Sequence, residues 1–481
     1  MKICDERLPL SKSDMKDVLK QAKGISEVTG RFFEHTFCMN QSEFCLPKFT
    51  RRIFPAMQRG ENIATDFPHE NIPIHIIKKL GRGGFGFVYK IAIHPDHHEF
   101  GQEQFYAMKV FDKSHDTDAS FARENHFFGT RAAVEHGGIV TPLAFWTHRN
   151  TGYMILPCAD HDLETHLETR AIGSLSDFCA VLKQLHTLIS GLAKIHYPTT
   201  TDSNFHKPSE NLQPKPVAQT GYHMDIKPEN ILVFVKDGED GKKTEEFRLT
   251  DFGCGRIAAM TGNSRGQVTS HQTRNMMGNH TYQAPEALET TPLSSRPSDI
   301  WSMGALLLEV LVWMLHGWDA LKQFRSKING VVSTALNTES GRFYLVENDK
   351  RPRLRDAVLD KMASTRNEKA CKGPVAALLT TIERMLAVDK ETRPNAMQVF
   401  QALQSLQFAK ESDFEPADFE GLFSQASQRP GMKEMSRLEE GTKPEEEEKT
   451  VKILEDREIP IIRLALVDEE PAIQLTCTSS S

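Results

Sequence analysis

The chain has 481 residues, of which 39% are hydrophobic and 26% charged, with a formal net charge of −7. That is the composition of a folded globular protein of two or three domains, and it carries no basic surplus of the kind that binds nucleic acid. Eight scattered cysteines at 4, 38, 45, 158, 179, 254, 371 and 477 form no CxxC pair, which argues against a zinc module or a disulfide framework and for the reduced thiols of a cytoplasmic or nuclear protein.

Residues 1–73 read as an N-terminal extension. Its start, MKICDERLPLSKSD, lacks the apolar core of a secretory signal. Asp14–Lys23 has the pattern of a short amphipathic helix, and Phe44–Phe54 that of an irregular segment packing on the adjoining domain. At Ile72 the pattern changes. IPIHIIKKL reads as a strand, Gly81-Arg-Gly-Gly-Phe-Gly86 as a turn, and Phe87–Ile93 as a second strand. Glycines at 81, 83 and 86 let a hairpin backbone close over phosphates without obstruction from Cβ atoms. A dinucleotide-binding fold would place a helix after the glycines; here they lie between two strands. The His94–His98 turn is a loop, with no metal expected.

Gln104–Phe111 is a third apolar strand with Lys109 inside it. A lysine there needs a partner or a route to solvent, and a helix over Ala119–Glu135 offers Glu124. Gly138–Leu143 and Gly152–Leu156 read as two more strands, completing a small antiparallel sheet. Asp162-Leu163 starts a helix. A longer helix over Ser174–His196 carries apolar residues at 181, 182, 185, 188, 189, 192 and 195, a buried stripe. His186 and His196 on it are expected to be structural. Residues 197–221 are rich in Pro, Thr, Ser, Asn and Gln and read as a polar surface insertion.

His223–Leu232, HMDIKPENIL, supplies a carboxylate, a lysine two residues on and an amide three residues later. A base, a phosphate-neutralising cation and a metal ligand at that spacing suit phosphoryl transfer. Gly304–Leu315 is the longest apolar run; Glu309 interrupts it, so a buried helix is expected and not a membrane span. Further helices are expected at Val375–Leu386 and Ala396–Phe408, with a charged loop insertion over Thr338–Arg355. From Lys410 the chain carries about −9 of its charge and reads as a disordered acidic tail. Within it lie the run Lys443–Lys449 and an apolar island, Ile459–Val467, suited to adding a strand to a partner's sheet edge, with incidental apolarity as the plainer reading.

In this order and spacing, GRGGFG with Val88, AMK ending at Lys109, Glu124, HMDIKPEN, DFG at 251–253, APE at 284–286, DIWSMG at 299–304 and Arg393 resemble the eukaryotic protein kinase superfamily over about residues 74–408. The resemblance implies an α+β, two-lobe fold. The N-lobe, 74–155, would be a small antiparallel sheet with one helix, followed by a hinge at 156–158 and a mainly helical C-lobe at 159–408, with 409–481 as the tail. It also implies ATP and Mg²⁺. Asp225 would act on the substrate hydroxyl, Lys227 would neutralise the transferred phosphoryl group, and Asn230 and Asp251 would hold metal. Nucleotide would be enclosed by Leu80, Gly81, Gly83, Gly84, Phe85, Gly86, Val88, Ala107, Lys109, Glu124, Leu156, Cys158, Leu232 and Asp251. Within that set, Val88, Ala107 and Leu232 would sandwich the adenine and the backbone of Leu156 and Cys158 would bond its edge, with Ile155 at the back of the pocket. Phe252 would pack under the helix near Phe128. Glu286 would pair with Arg393, and Asp299 would bond the backbone of the 223–232 loop.

Lys227 resembles the serine/threonine class, so serine and threonine hydroxyls on protein substrates are the expected acceptors. A nucleotide-binding scaffold with little or no activity is the alternative; Lys109, Asp225 and Asp251 are all retained. Two residues depart from the family pattern. Met224 stands where many members have an arginine that pairs with a phosphate on the activation segment, so control by phosphate at Thr261, Ser264, Thr269, Ser270 or Thr273 is not expected. Asn279 stands where many have threonine. Cys254, after DFG, is expected to be buried and inert.

Overall fold

Between His75 and Pro157, runs rich in β-branched and aromatic residues build five antiparallel strands: β1 His75–Gly83, β2 Gly86–Ala92, β3 Tyr106–Phe111, β4 Ala144–His148 and β5 Thr151–Pro157. Their order is β4-β5-β3-β2-β1, and Thr65–Asp66 adds a parallel pair on the β4 edge. The computed structural model describes residues 49, 65–66, 71–83, 86–111, 115–129, 136–148, 151–197, 219–238, 243–254, 256–259, 280–288, 296–329, 341–346, 351–419 and 462–463. The helix expected at 14–23, Gly84 and Phe85, the insertion from 198 to 218, the five hydroxyl residues of 261–273, Asn279 and the acidic run at 443–449 lie outside these.

The sheet has two buried faces. On the outer one, Tyr89, Ile91, Tyr106, Met108, Trp146, Tyr153 and Ile155 form a separate core. Trp146 stacks on Tyr153 at 4.9 Å, and Phe49 closes over Trp146 at 5.3 Å. Phe49 is tied to the sheet side by main-chain bonds, its N–H donating to the His97 carbonyl and its carbonyl accepting from Glu99 N–H. On the inner face, Ala107, Phe111, Met154 and Leu156 join the large core that continues into the helical half. Helix α1, His115–Gly129, packs on this face through Phe121, Phe127 and Phe128.

Gly138–Leu143, expected as a strand, is not one; the fourth strand is β4. Pro142 has no N–H for a ladder. Gly138 runs so close to the long helix that a Cβ would meet the Thr187 carbonyl at 2.3 Å. This stretch instead ties the two halves together, with Val140 N–H donating to the Leu249 carbonyl and Leu249 N–H to the Gly138 carbonyl.

The second half is mainly helical. Asp162 caps α2, Leu163–Thr169, by accepting from Thr165 N–H, and Ser174 caps α3, Leu175–His196, by accepting from Asp177 N–H. Four short strands follow: β6 Gln219–Tyr222, β7 Ile231–Asp237, β8 Lys243–Leu249 and β9 Arg256–Ala259, with β7 paired to β8 and β6 to β9. Gln219–Gly221, expected to close the polar insertion, therefore belong to a strand. Helix α4, Arg296–Asn329, breaks at Gly317, where φ is 75°. It is long and apolar enough to cross a membrane, but most of it is buried inside the fold. Helices α5 Asp356–Arg366 and α6 Gly373–Met385 pack against it, and α7 Ala396–Ala402 packs against α3.

Three other expectations change. The 338–355 stretch, read as a loop, contains an antiparallel pair, Tyr344–Val346 with Pro352–Leu354, and Tyr344 packs its ring on Trp301. The packed chain continues past Lys410 to Phe419, because Phe414 and Phe419 set their rings against Phe178 of α3. In the apolar island, Ile462–Arg463 pairs antiparallel with the chain's own Asn71–Ile72.

Candidate active site

Lys109 is buried in β3 and its amine is held between two carboxylates. Nζ donates to Glu124 Oε1 on α1 at 2.5 Å and to Asp251 Oδ1 at 3.0 Å. Burial alone would depress the lysine, but the charges of Asp251 and Glu124 outweigh it and hold the ammonium protonated. Burial pushes Glu124 up to about 7 against the pull of Lys109, while Lys109 holds Asp251 down to about 2 in spite of its burial. Asp251 has φ 62°, in the left-handed region, and its Oδ1 also accepts from Gly253 N–H at 3.3 Å. An aspartate in that conformation costs roughly 1–3 kcal/mol and persists where its surroundings fix it. Here Phe252 is clamped on both flanks. It stacks on Phe127 at 4.5 Å, meets Phe128 edge-on at 5.1 Å, and touches the His223 ring at 4.7 Å.

The 223–232 loop converges on Asp225. Lys227 Nζ donates to Asp225 Oδ2 at 2.9 Å, and Asn230 Nδ2 donates to both Asp225 Oδ2 and its carbonyl, at 2.8 and 2.7 Å. Burial works against the Lys227 charge, but Asp225 outweighs it and raises the lysine. Pro228–Asn230 form a single 3₁₀ turn that leads directly into β7. Met224, just before Asp225, has φ 69°. With its NH₂ given to Asp225, Asn230 has its side-chain carbonyl for a hard cation, and the Asp251 carboxylate is the same kind of donor. These oxygens fit Mg²⁺. Among the described residues no three His, Cys, Asp or Glu side chains converge on one point, so a cation here would take its remaining ligands from phosphates and water.

One buried anchor supports the loop, and a second ties Glu286 to the helical half. Asp299, at the start of α4, accepts from His223 N–H at 2.8 Å, Met224 N–H at 2.7 Å and His196 Nε2 at 2.9 Å. Arg393 makes a two-pronged bond to Glu286, at 2.7 and 2.9 Å, with both side chains nearly out of solvent. Over the cleft, the β1–β2 hairpin reaches Gly86, whose φ is 147°; a Cβ there would meet the Val110 carbonyl at 2.0 Å, so the close approach of β2 to β3 requires glycine. Gly81 by contrast has open space around it, and Leu80 is exposed.

Residues 218–403 match the family described as the protein kinase domain. The chain is 28% identical over 241 residues to a calmodulin-binding receptor-like cytoplasmic kinase 2 of Arabidopsis thaliana, covering 48% of each chain. It is 31% identical over 194 residues to receptor-like cytoplasmic kinase 176 of Oryza sativa subsp. japonica, covering 40% of this chain and 41% of that one. A proline-rich receptor-like protein kinase, PERK3, of Arabidopsis thaliana is 28% identical over 235 residues, covering 48% and 37%. Residues 218–403, less than half of the chain, thus carry the sequence of a protein kinase domain. The matches span less than half the length of these relatives.

Within this kinase domain, the matched segment contains Asp225, Lys227, Asn230, Leu232, Asp251, Glu286, Asp299 and Arg393. The sheet half lies before it and is joined to it by the Lys109–Asp251 contact. Val88 and Lys109 are cross-strand partners, as are Lys109 and Met154, and Ala107 and Leu156. Partners share a sheet face, so Val88, Ala107, Lys109, Met154 and Leu156 look toward the cleft, and Leu232 packs against the same core.

Ile155, expected at the back of the nucleotide pocket, is on the opposite face, fully buried in the outer core. The strand phase is one residue later than expected. Leu156 is the cleft-facing side chain, across from Ala107. Cys158 is half-buried. Cys254 is pushed up to about 12 by burial and by the nearby Asp225 and Asp251 charges, so its thiol stays protonated. A group that the motifs did not signal lies beside the loop. Arg325 of α4 binds Glu164 through both nitrogens, at 2.6 and 2.8 Å, and Glu309 at 2.7 Å, while Tyr282 donates to Glu309 at 2.6 Å. These residues and Glu229 line a cavity of about 140 Å³.

Proposed function

We propose that this chain is an active protein kinase, transferring the γ-phosphate of ATP to serine or threonine hydroxyls of protein substrates. The observation that carries the reading is the meeting of two networks. Lys109 bridges Glu124 and Asp251, while Lys227 and Asn230 converge on Asp225. A cation set to take phosphates from one side and a carboxylate open on the other are the two halves of a phosphoryl-transfer site. The fold is read as two lobes with a hinge near residue 157, and the relatives' names suit a cytoplasmic protein.

In this reading Asp225 orients the acceptor hydroxyl and takes its proton. Its carboxylate is held by Lys227 and Asn230 and is partly open to solvent, with 35% of the side chain exposed. Lys227 then stands where charge grows on the phosphoryl oxygens, and its raised pKa keeps it cationic. Lys109 holds the α- and β-phosphates of the nucleotide, with Glu124 fixing its reach. Val88, Ala107, Leu156 and Leu232 enclose the base, and backbone groups at Pro157 and Ala159 bond its edge. Mg²⁺ held by Asn230 and Asp251 would supply neutralising charge along the phosphates.

The test is transfer of labelled phosphate by the purified full chain to generic protein substrates and to itself, beside Asp225→Asn and Lys109→Met. Transfer by the wild type and loss of at least about a hundredfold in either variant, about 2.7 kcal/mol of transition-state stabilisation, supports the reading. A wild-type chain that binds Mg-nucleotide but transfers nothing points instead to a scaffold.

A further inference from the structure

We propose that Arg123 is a positioning residue that holds the Asp251-Phe252-Gly253 turn in its metal-binding arrangement. The proposal rests on the kinase reading above. Arg123 lies on α1 directly before Glu124, and its Nε donates to the Gly253 carbonyl at 2.8 Å. One helix therefore grips three consecutive residues of the turn by three different chemistries. Asp251 is reached through Lys109, which Glu124 holds. Phe252 is reached through the rings of Phe127 and Phe128. Gly253 is reached through Arg123. The pairs 123/127, 124/127 and 124/128 are three or four residues apart, so the four form one stripe along the helix.

The Arg123 bond has a mechanical consequence that the other two lack. Asp251 sits at φ 62° and Gly253 is buried, so the turn must be fixed on both sides of Phe252 to keep a strained aspartate in place. Lys109 acts on the N-terminal side and also has to serve the nucleotide. Arg123 acts on the C-terminal side through a main-chain carbonyl. That bond is lost if the peptide plane after Gly253 rotates. Met224 occupies the position before Asp225 with an uncharged side chain, so the loop itself offers no cation at that place. Arg123 ties the same region from the α1 side, without any phosphate on the chain.

The experiment uses the full-length chain and the variants Arg123→Ala and Arg123→Lys, with His126→Ala as a control on an exposed position of the same helix. The first readout is hydrogen exchange at the amides of Phe252, Gly253 and Cys254 without nucleotide. The second is ADP affinity with and without Mg²⁺. With Arg123→Ala, exchange at the three amides rises about tenfold or more, as loss of a charge-assisted hydrogen bond would give. The factor by which Mg²⁺ tightens ADP binding falls about tenfold, while metal-free affinity stays within about twofold, since Lys109 and Glu124 are untouched. Arg123→Lys keeps a donor and a charge and recovers part of both effects; His126→Ala matches the wild type. Unchanged exchange at 252–254 and unchanged Mg²⁺ coupling in Arg123→Ala overturn the proposal, whatever happens to thermal stability. If the wild type transfers no phosphate, the kinase reading fails on its own test, and the exchange experiment still decides whether Arg123 holds the turn.

Discussion

Replacing Asp299 by alanine should separate what the fold needs from what the reaction needs. The carboxylate accepts from two main-chain amides, His223 and Met224, and from the His196 ring. All of this is buried, with Asp299 at 1% exposure. Each orphaned donor costs about 1–3 kcal/mol; the lower half of that range for three donors gives a loss of about 4 kcal/mol. The loop can recover some of it by moving, because Met224 at φ 69° is itself strained and is released once its amide is free. That relief displaces Asp225, the next residue. Asp299→Ala should therefore lose about 3–5 kcal/mol in urea unfolding and at least about a hundredfold in kcat. The KM for ATP should change only a few-fold, because Lys109, Glu124 and Asp251 keep their contacts. Asp299→Asn keeps one acceptor but turns an NH₂ toward a donor, so it should fall between the two. A variant within about 1 kcal/mol of wild type and within threefold in kcat would refute the account of Asp299 as the anchor of the loop.

The strand phase of β5 predicts opposite outcomes at neighbouring residues. Leu156→Ala should alter nucleotide affinity and admit ligands with bulkier bases, whereas Ile155→Ala should cost about 2–5 kcal/mol of stability and leave nucleotide affinity near wild type; the reverse pattern would return Ile155 to the pocket. Burial, with the neighbouring His161 and Arg170 charges, holds His166 down to about 3. The unfolded chain takes up that proton below about pH 6.5 and the folded chain does not, so stability should fall as the pH drops, by up to about 1.4 kcal/mol per unit. His166→Phe should flatten this acid limb between about pH 6 and 4; parallel curves for variant and wild type would exclude His166 as the cause.

Much of the candidate site could be read before any coordinates, because its parts carry their own chemistry. A lysine in an apolar strand demands a partner, and Glu124 is one. Glu286 and Arg393 lie 107 residues apart, and their pairing followed from the resemblance of the APE segment and Arg393 to the kinase pattern, not from their neighbours. The stripe on α3 gave its buried face directly, since its spacing repeats over about four turns. The phase of β5 could not be read in this way. Tyr153, Met154, Ile155 and Leu156 are all apolar and both faces of the strand are covered, so no alternation marks which side meets the cleft. Arg123 was silent for a different reason. Its partner is a backbone carbonyl, which every residue has, so nothing in the side chains announces it. The Arg325 group draws on residues 164, 282, 309 and 325, brought together only by the packing of α2, α4 and the turn at Tyr282.

Phe49 has a practical consequence for anyone who trims this protein. The similarity to other kinases, and the glycine-rich hairpin itself, invite a fragment that begins near residue 72. Such a cut would remove the ring that shields Trp146 and packs 6.1 Å from Phe100. The aromatic outer face of the sheet would then meet water as a contiguous patch, the kind of surface on which chains associate. A shortened chain that precipitates would thus report on a missing lid for the sheet, and a start upstream of Phe49 should restore solubility with the helical half unaltered.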